Sequence, residues 1–195
     1  MMSKNKLNIA IAGATGYVGL DLVFYLSKHP KVNISYLCAQ KNIGSNIQKF
    51  DSRIKKKLPK ISNLKNVDWN DIDLLYLSLP NGEAQKVTKK LFKYKHLKFI
   101  DLSADFRLEN TKDYKKWYSK NHFAKNLIKN SIYSIPEFTK NKIKSYRIIA
   151  NPGCYPTSIQ LAIIPLLKKS LIETKNITID SKSGYSGAGK NYKSK

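Results

Sequence analysis

Apolar residues come along this chain in short runs, and the runs alternate between two periods. Residues 6–12, Lys-Leu-Asn-Ile-Ala-Ile-Ala, form a compact apolar run closed by Gly13, the pattern of a buried parallel strand. Val18, Leu22, Tyr25 and Leu26 then fall at i, i+4, i+7 and i+8, which predicts a helix through residues 20–28 that ends before Pro30. Residues 32–38 read as a second strand, so the N-terminal forty residues form strand, glycine turn, helix and strand. The stretch 41–70 is polar and weakly periodic, a surface excursion with one short element. A third strand is predicted over 72–79, stopped by Pro80-Asn81-Gly82. A helix follows over 83–94 and a strand over 98–101. A long loop with aromatic residues around Trp117 and Tyr118 leads to a strand at 147–150. The last elements are an apolar helix over 155–169, kinked at Pro165, and a strand over 177–183 opening into Gly184 to Gly189.

Alternating strands and helices of this kind specify an α/β fold, a Rossmann-like doubly wound parallel sheet. The expected division is a nucleotide-binding domain over 1–150 followed by the start of a truncated α+β substrate domain over 151–195. A length of 195 residues with 42% hydrophobic content supports a packed core and excludes wholesale disorder. No apolar run approaches the roughly 18 residues of a membrane span, and residues 1–7 lack the apolar core of a signal peptide. The two cysteines, Cys38 and Cys154, make neither a disulfide framework nor a metal-ligand spacing. The expectation is a cytoplasmic chain with no membrane partner.

The net charge of +23 would ordinarily raise nucleic-acid binding. Yet Arg53, Arg107 and Arg147 are the only arginines, and the lysines are scattered, their longest run being 55–57. A dedicated nucleic-acid surface favours arginine forks and clustered aromatics. The lysines therefore read as a solvated coat, with no specific nucleic acid as partner.

The segment Gly13-Ala-Thr-Gly16-Tyr-Val-Gly19 lies directly between the first strand and the first helix. Glycines there let a backbone approach a pyrophosphate, and a helix N-terminus supplies amide donors and partial positive charge. A tight strand-to-helix turn without ligand is the plainer use of the same glycines. The position about 20 residues on, where NAD sites usually carry an acid, reads Cys38-Ala-Gln-Lys41. With Lys41 in place of a carboxylate, a 2′-phosphate is tolerated, which favours NADP.

Cys154 follows Pro152-Gly153 and opens a helix, a setting whose amide dipoles favour the reactive thiolate; a structural cysteine is the alternative, and Cys38, inside a strand, is read as core. The stretch Asp101-Leu-Ser-Ala-Asp-Phe-Arg107 places Ser103, Asp105 and Arg107 just past a strand's C-terminal end, where open α/β sheets hold ligands. A guanidinium suits phosphate or carboxylate, and an Asp105–Arg107 surface ion pair is the competing use.

Taken in order, Gly13 to Gly19, Asp101 to Leu108, Asn151-Pro-Gly-Cys-Tyr-Pro-Thr157 and Ser183-Gly-Tyr-Ser-Gly-Ala-Gly-Lys190 resemble N-acetyl-gamma-glutamyl-phosphate reductases. These are relatives of aspartate-semialdehyde dehydrogenase that serve arginine biosynthesis. Tyr133-Ser-Ile-Pro-Glu137 also resembles a segment of that family. The resemblance implies an oxidoreductase in which Cys154 attacks an acyl phosphate and NADPH reduces the resulting thioester to an aldehyde. It implies that Gly13, Thr15, Gly16, Tyr17 and Val18 cradle the pyrophosphate, that Pro80 and Gly82 border the cofactor, and that Ser183, Gly184 and Gly187 approach the nicotinamide. Arg107 becomes a ligand for substrate phosphate or carboxylate, and the family forms homo-oligomers.

The chain also departs from the family. Its resemblance covers roughly the first three-fifths of such enzymes, and the family's catalytic histidine has no counterpart, since His29, His96 and His122 fall elsewhere. Asn81 stands where a histidine is more usual and Lys190 where an arginine is. The reading is a truncated product or fragment, with a sister semialdehyde dehydrogenase or an inactive remnant as alternatives.

Overall fold

A computed structural model describes residues 6–189. Its centre is a seven-stranded, wholly parallel sheet: β1 Leu7–Ala12, β2 Val32–Cys38, β3 Ile61–Ser62, β4 Leu74–Leu77, β5 Lys98–Asp101, β6 Ser131–Tyr133 and β7 Ile148–Ala150. The strands lie in the order β3-β2-β1-β4-β5-β7-β6. The chain thus grows outward from β1 in one direction, then restarts at β4 on the other side. That reversal opens a crevice beyond the C-terminal ends of β1 and β4.

Alternation along the strands decides which face each side chain serves. Ile9 and Ile11 join Leu20 and Val23 of α1 (Tyr17–Ser27), together with Ile34 and Leu37 of β2. Ala10 and Ala12 face the other way, with Leu75, Leu77 and Phe99, against Ala84 and Leu91 of α2 (Glu83–Leu91). The small alanines and the larger Leu and Phe neighbours in register, such as Ala10 opposite Leu75, fill this second layer. The product is a three-layer sandwich in which the parallel sheet is buried on both faces.

Three local expectations change. The aromatic stretch contains a helix, α3 (Thr111–Tyr118), which Asn110 starts by accepting from Lys112 N at 2.8 Å and Ser119 ends in the left-handed conformation at φ 54°. The excursion 41–70 contributes β3 and two single 3-10 turns, Ile47–Lys49 and Leu64–Asn66. The strand expected at 177–183 is not formed. Ile177 and Ile179 are exposed and the segment has no ladder partner among the described residues, and alternation alone cannot make a strand without one.

A short helix, α4 (Pro136–Thr139), links β6 to β7, and α5 (Cys154–Lys168) follows β7 and runs through Pro165. No residue of α5 is buried. Among the described residues, no helix is long and apolar enough to cross a membrane, and no cluster of His, Cys, Asp and Glu could hold a metal ion.

Candidate functional site

Because every strand runs the same way, the segments that leave the sheet at one end converge there. Gly13 N donates to Cys38 O at 2.9 Å, Ser78 N to Ala12 O at 2.9 Å, Leu102 N to Leu77 O at 3.1 Å and Asn151 N to Asp101 O at 2.8 Å. These bonds stitch together the exits of β2, β1, β4, β5 and β7. The predicted residues Gly13 to Val18, Lys41, Pro80, Gly82, Arg107 and Cys154 all lie on those exits.

Gly13 adopts φ +82°, and a Cβ there would stand 1.9 Å from Ser78 O. No other residue fits so close to the neighbouring strand. Gly19 has a second constraint of the same kind, since a Cβ would meet Gly13 O at 2.1 Å; it lets α1 pack directly on the turn. Gly16 is the N-cap of α1, makes no side-chain cap hydrogen bond, and is followed by a first turn without acidic residues. Tyr17 and Val18 are exposed at 46% and 52%. The positive end of α1 therefore faces the crevice bare of any side-chain anion, which suits a pyrophosphate. Gln40 and Lys41 are exposed past the end of β2, and residues 39–46 carry no carboxylate.

The 101–107 turn is built differently from the sequence expectation. Ser103 and Asp105 are buried, and their side chains are engaged in hydrogen bonds within the fold. Asp101 accepts from Ser103 Oγ at 2.6 Å, Ser103 N at 2.9 Å and Phe106 N at 3.2 Å. Burial nevertheless pushes its carboxyl up to about 6, these hydrogen bonds opposing the rise. Asp105 reaches across to α2 and caps it, accepting from Gly82 N at 2.7 Å and Gln85 N at 2.9 Å. It also accepts from Tyr114 Oη at 2.7 Å, a hydroxyl shared with Asn81 Oδ1 at 2.8 Å.

Arg107 is left to look outward. Instead of pairing with Asp105, its Nε donates to Asn151 O at 2.9 Å and its Nη2 to Leu102 O at 3.2 Å. Its Nη1 lies 3.2 Å from where a Cβ of Gly153 would be, so glycine at 153 makes room for the guanidinium. The next residue, Cys154, is exposed and is the first residue of α5, with Gly153 as N-cap. A cation and a thiol thus share one helix start. Cys38 is the opposite case: it is buried, and burial pushes its thiol up to about 11.

Other predicted residues fall apart from this group. Ser183, Gly184 and Gly187 are exposed at or just before a turn, Tyr185–Ala188, whose described contacts are local, and Lys190 lies outside the described residues. His122 is buried, its Nδ1 accepting from Ala124 N at 3.2 Å and its Nε2 lying 2.8 Å from Asp105 O, and burial lowers its pKa. Sequence reading missed the capping role of Asp105 and its partners Gln85 and Tyr114. Each lies 20 or more residues from Gly82 or from Asp105, beyond any local motif.

Comparison with known proteins agrees with this architecture. The NAD-binding domain of semialdehyde dehydrogenases matches residues 8–146, and their dimerisation domain matches residues 154–195. N-acetyl-gamma-glutamyl-phosphate reductase of Brachyspira hyodysenteriae is 42% identical over 194 residues, covering 96% of this chain and 55% of that protein. The reductase of Ehrlichia ruminantium (strain Gardel) is 41% identical over 187 residues, covering 95% and 53%. The chain spans about half the length of the curated relatives it matches. Aspartate semialdehyde dehydrogenase II of Vibrio cholerae shares the fold at a TM-score of 0.62 and 20% identity, over 84% of this chain and 47% of that one. With a glycine turn at the switch point and an arginine packed on the residue before a helix-opening cysteine, the domain match over 8–146 places this chain in the semialdehyde dehydrogenase family.

Proposed function

We propose that the whole protein reduces N-acetyl-glutamyl 5-phosphate to N-acetyl-glutamate 5-semialdehyde with NADPH, a step of arginine biosynthesis, and that Cys154 is the nucleophile. The observation that carries this reading is the placement of Arg107 against Gly153, one residue before Cys154. An acyl phosphate needs a cation for its dianion and a thiolate for its carbonyl carbon, and both meet here at a helix N-terminus. The Cys154 sulfur attacks the acyl carbon, the C–O bond to phosphate breaks, and a thioester remains. When bound, NADPH supplies the hydride that reduces this thioester, after which the carbon–sulfur bond breaks to release aldehyde and regenerate the thiolate.

Gly13, Thr15, Gly16, Tyr17 and Val18 hold the pyrophosphate, Pro80 and Gly82 border the cofactor, and Lys41 meets a 2′-phosphate. Arg107 binds the substrate phosphate or carboxylate, and Ser183, Gly184 and Gly187 approach the nicotinamide. The working division is a cofactor domain over 1–150 and a substrate domain beginning at 151, the whole protein assembling with copies of itself. No histidine of this sequence occupies the exit end beside Cys154: His122, which contacts Asp105 O, is fully engaged in the core. General acid/base help is typically worth about 10²–10⁴ in rate, so turnover by the 195-residue chain alone should fall by at least that factor.

Titration of the chain with NADPH and NADH tests the cofactor assignment: tighter NADPH binding is expected, and equal or tighter NADH binding refutes it. A steady-state assay of the whole protein beside its Cys154→Ala variant tests the chemistry. Loss of all turnover in the variant is expected, and turnover that survives the substitution overturns Cys154 as nucleophile.

A further inference from the structure

Asp105 is wholly buried, and its described hydrogen bonds reach neither Cys154 nor the glycine turn but tie the Gly82 loop to the turn that carries Arg107. We propose that Asp105 is a positioning residue that places both Gly82, on the cofactor side, and Arg107, on the substrate side, so that loosening it weakens both sites together. This rests on the functional reading above.

The geometry has two arms. In the first, Oδ1 and Oδ2 take the amides of Gly82 and Gln85, 23 and 20 residues away in sequence. Gly82 adopts φ +95°, a backbone state that this carboxylate holds from outside the loop. In the second arm, the backbone of Asp105 is pinned on both sides. Its N–H donates to Ser103 Oγ at 3.1 Å and its carbonyl oxygen lies 2.8 Å from His122 Nε2. Two residues on, Arg107 leaves the same turn, its own N–H donating to Ala104 O at 3.4 Å before its guanidinium reaches Asn151. Gln85 closes the bracket: its Nε2 donates to Tyr114 Oη at 3.1 Å, and its Oε1 accepts from Phe123 N. Nothing else in the described contacts joins the 80–82 loop to the 101–107 turn by side-chain hydrogen bonds except this carboxylate and the Tyr114 hydroxyl attached to it.

Asp105→Asn keeps the size but turns one acceptor oxygen into an NH2 group facing the amide of Gly82 or Gln85. A helix cap alone would cost stability and affect only the start of α2. A shared anchor makes a different demand, because both sites must move in step.

The experiment reads both sites on the same chain. NADPH affinity is measured by fluorescence titration, and the oxyanion site by how strongly inorganic phosphate slows alkylation of Cys154 by iodoacetamide. In Asp105→Asn, the NADPH dissociation constant and the phosphate concentration giving half-protection should both rise, each about tenfold. Tyr114→Phe, which keeps the carboxylate but removes a bond to it, should raise both by a smaller and similar factor; it decides the question on its own where Asp105→Asn does not fold. Ile72→Ala, a core change just before β4 at the end of the sheet opposite the exits, lowers stability and should move neither readout. A shift in one readout without the other, no shift in either, or equal shifts in Ile72→Ala overturns the proposal. A wild-type chain that binds no NADPH, or whose alkylation ignores phosphate, overturns the functional reading and this inference with it.

Discussion

The two stretches on either side of Pro152 obey different rules. Up to Ala150, seven strands and the helices around them bury two apolar layers, and Ile9, Leu75, Leu77, Phe99 and Ile148 have no solvent exposure. From Cys154 to Lys168, the chain forms fifteen residues of helix rich in Ile and Leu, yet none of them is buried. Composition does not separate the stretches; partners do. Apolar residues gain stability only when a second surface takes them out of water. The first stretch supplies that surface to itself through its sheet, whereas α5 leaves its apolar side chains half-buried or exposed and meets the first stretch through contacts such as Gln160 Nε2 donating to Tyr133 Oη at 3.1 Å.

Core substitutions should break this comparison most sharply. Phe99→Ala empties a site in the sheet's second layer and should cost about 3–5 kcal/mol, read as a lower midpoint in urea. Leu161→Ala, exposed at 39% on α5, should cost less than about 0.5 kcal/mol. Similar losses from the two would show that α5 is packed after all.

Acidity gives the next largest effect and confines it to the first stretch. The Asp101 carboxyl, raised from 3.8 to about 6 by burial, holds its proton more tightly in the fold than in the unfolded chain. Its contribution is therefore complete below pH 4 and is lost as pH rises through about 6. Asp101→Asn removes this dependence. Between pH 4 and 7 the wild type should lose about 3 kcal/mol relative to the variant; parallel stability curves would refute the assignment. His122 works in the opposite direction. Its lowered pKa gives stability that is present above pH 6.5 and lost on acidification, so His122→Gln should flatten the acid side of the profile.

Glycines sharpen the contrast at single positions. Gly13→Ala forces a Cβ into Ser78 O and a side chain into positive φ. It should cost at least about 1–3 kcal/mol and abolish NADPH binding. Gly184→Ala meets nothing within 4 Å at an ordinary φ of −67°, and should leave stability within about 0.5 kcal/mol. Thiol labelling disturbs the fold least of all. Iodoacetamide should modify Cys154 in the native chain and reach Cys38, buried and raised to about 11, only after denaturant is added. Equal native rates would contradict the burial of Cys38.

Legibility from sequence followed distance along the chain. The glycine turn, the cysteine at a helix start and the arginine past a strand could be read because each is a local pattern whose physics fits within ten residues. The parallel sheet could be read from the rhythm of short apolar runs. Helix α3 escaped because its eight residues hold a single short stripe, Tyr114, Trp117 and Tyr118 at i, i+3 and i+4, of which only Tyr114 is buried; its Asn110 cap was the further available signal. The strand expected at 177–183 failed for the reverse reason: alternation was present and a partner was not. Ser103 and Asp105 were placed facing a ligand because they follow a strand, but their acceptors are used inside the fold by amides that no local motif reveals.

The strand order carries a consequence in time. β6 precedes β7 in the chain yet lies outside it, at the sheet's edge, and touches the rest of the sheet only through β7. As the polypeptide emerges during synthesis, β6 can find no parallel neighbour until residues 148–150 slot between it and β5. Until then β5 presents an open, sticky border, the kind that invites pairing with another nascent chain. The strand that closes this gap ends four residues before Cys154. Inserting β7 and bringing the Cys154 thiol to the exit end of the sheet are therefore one event, and a chain stalled before it has completed neither.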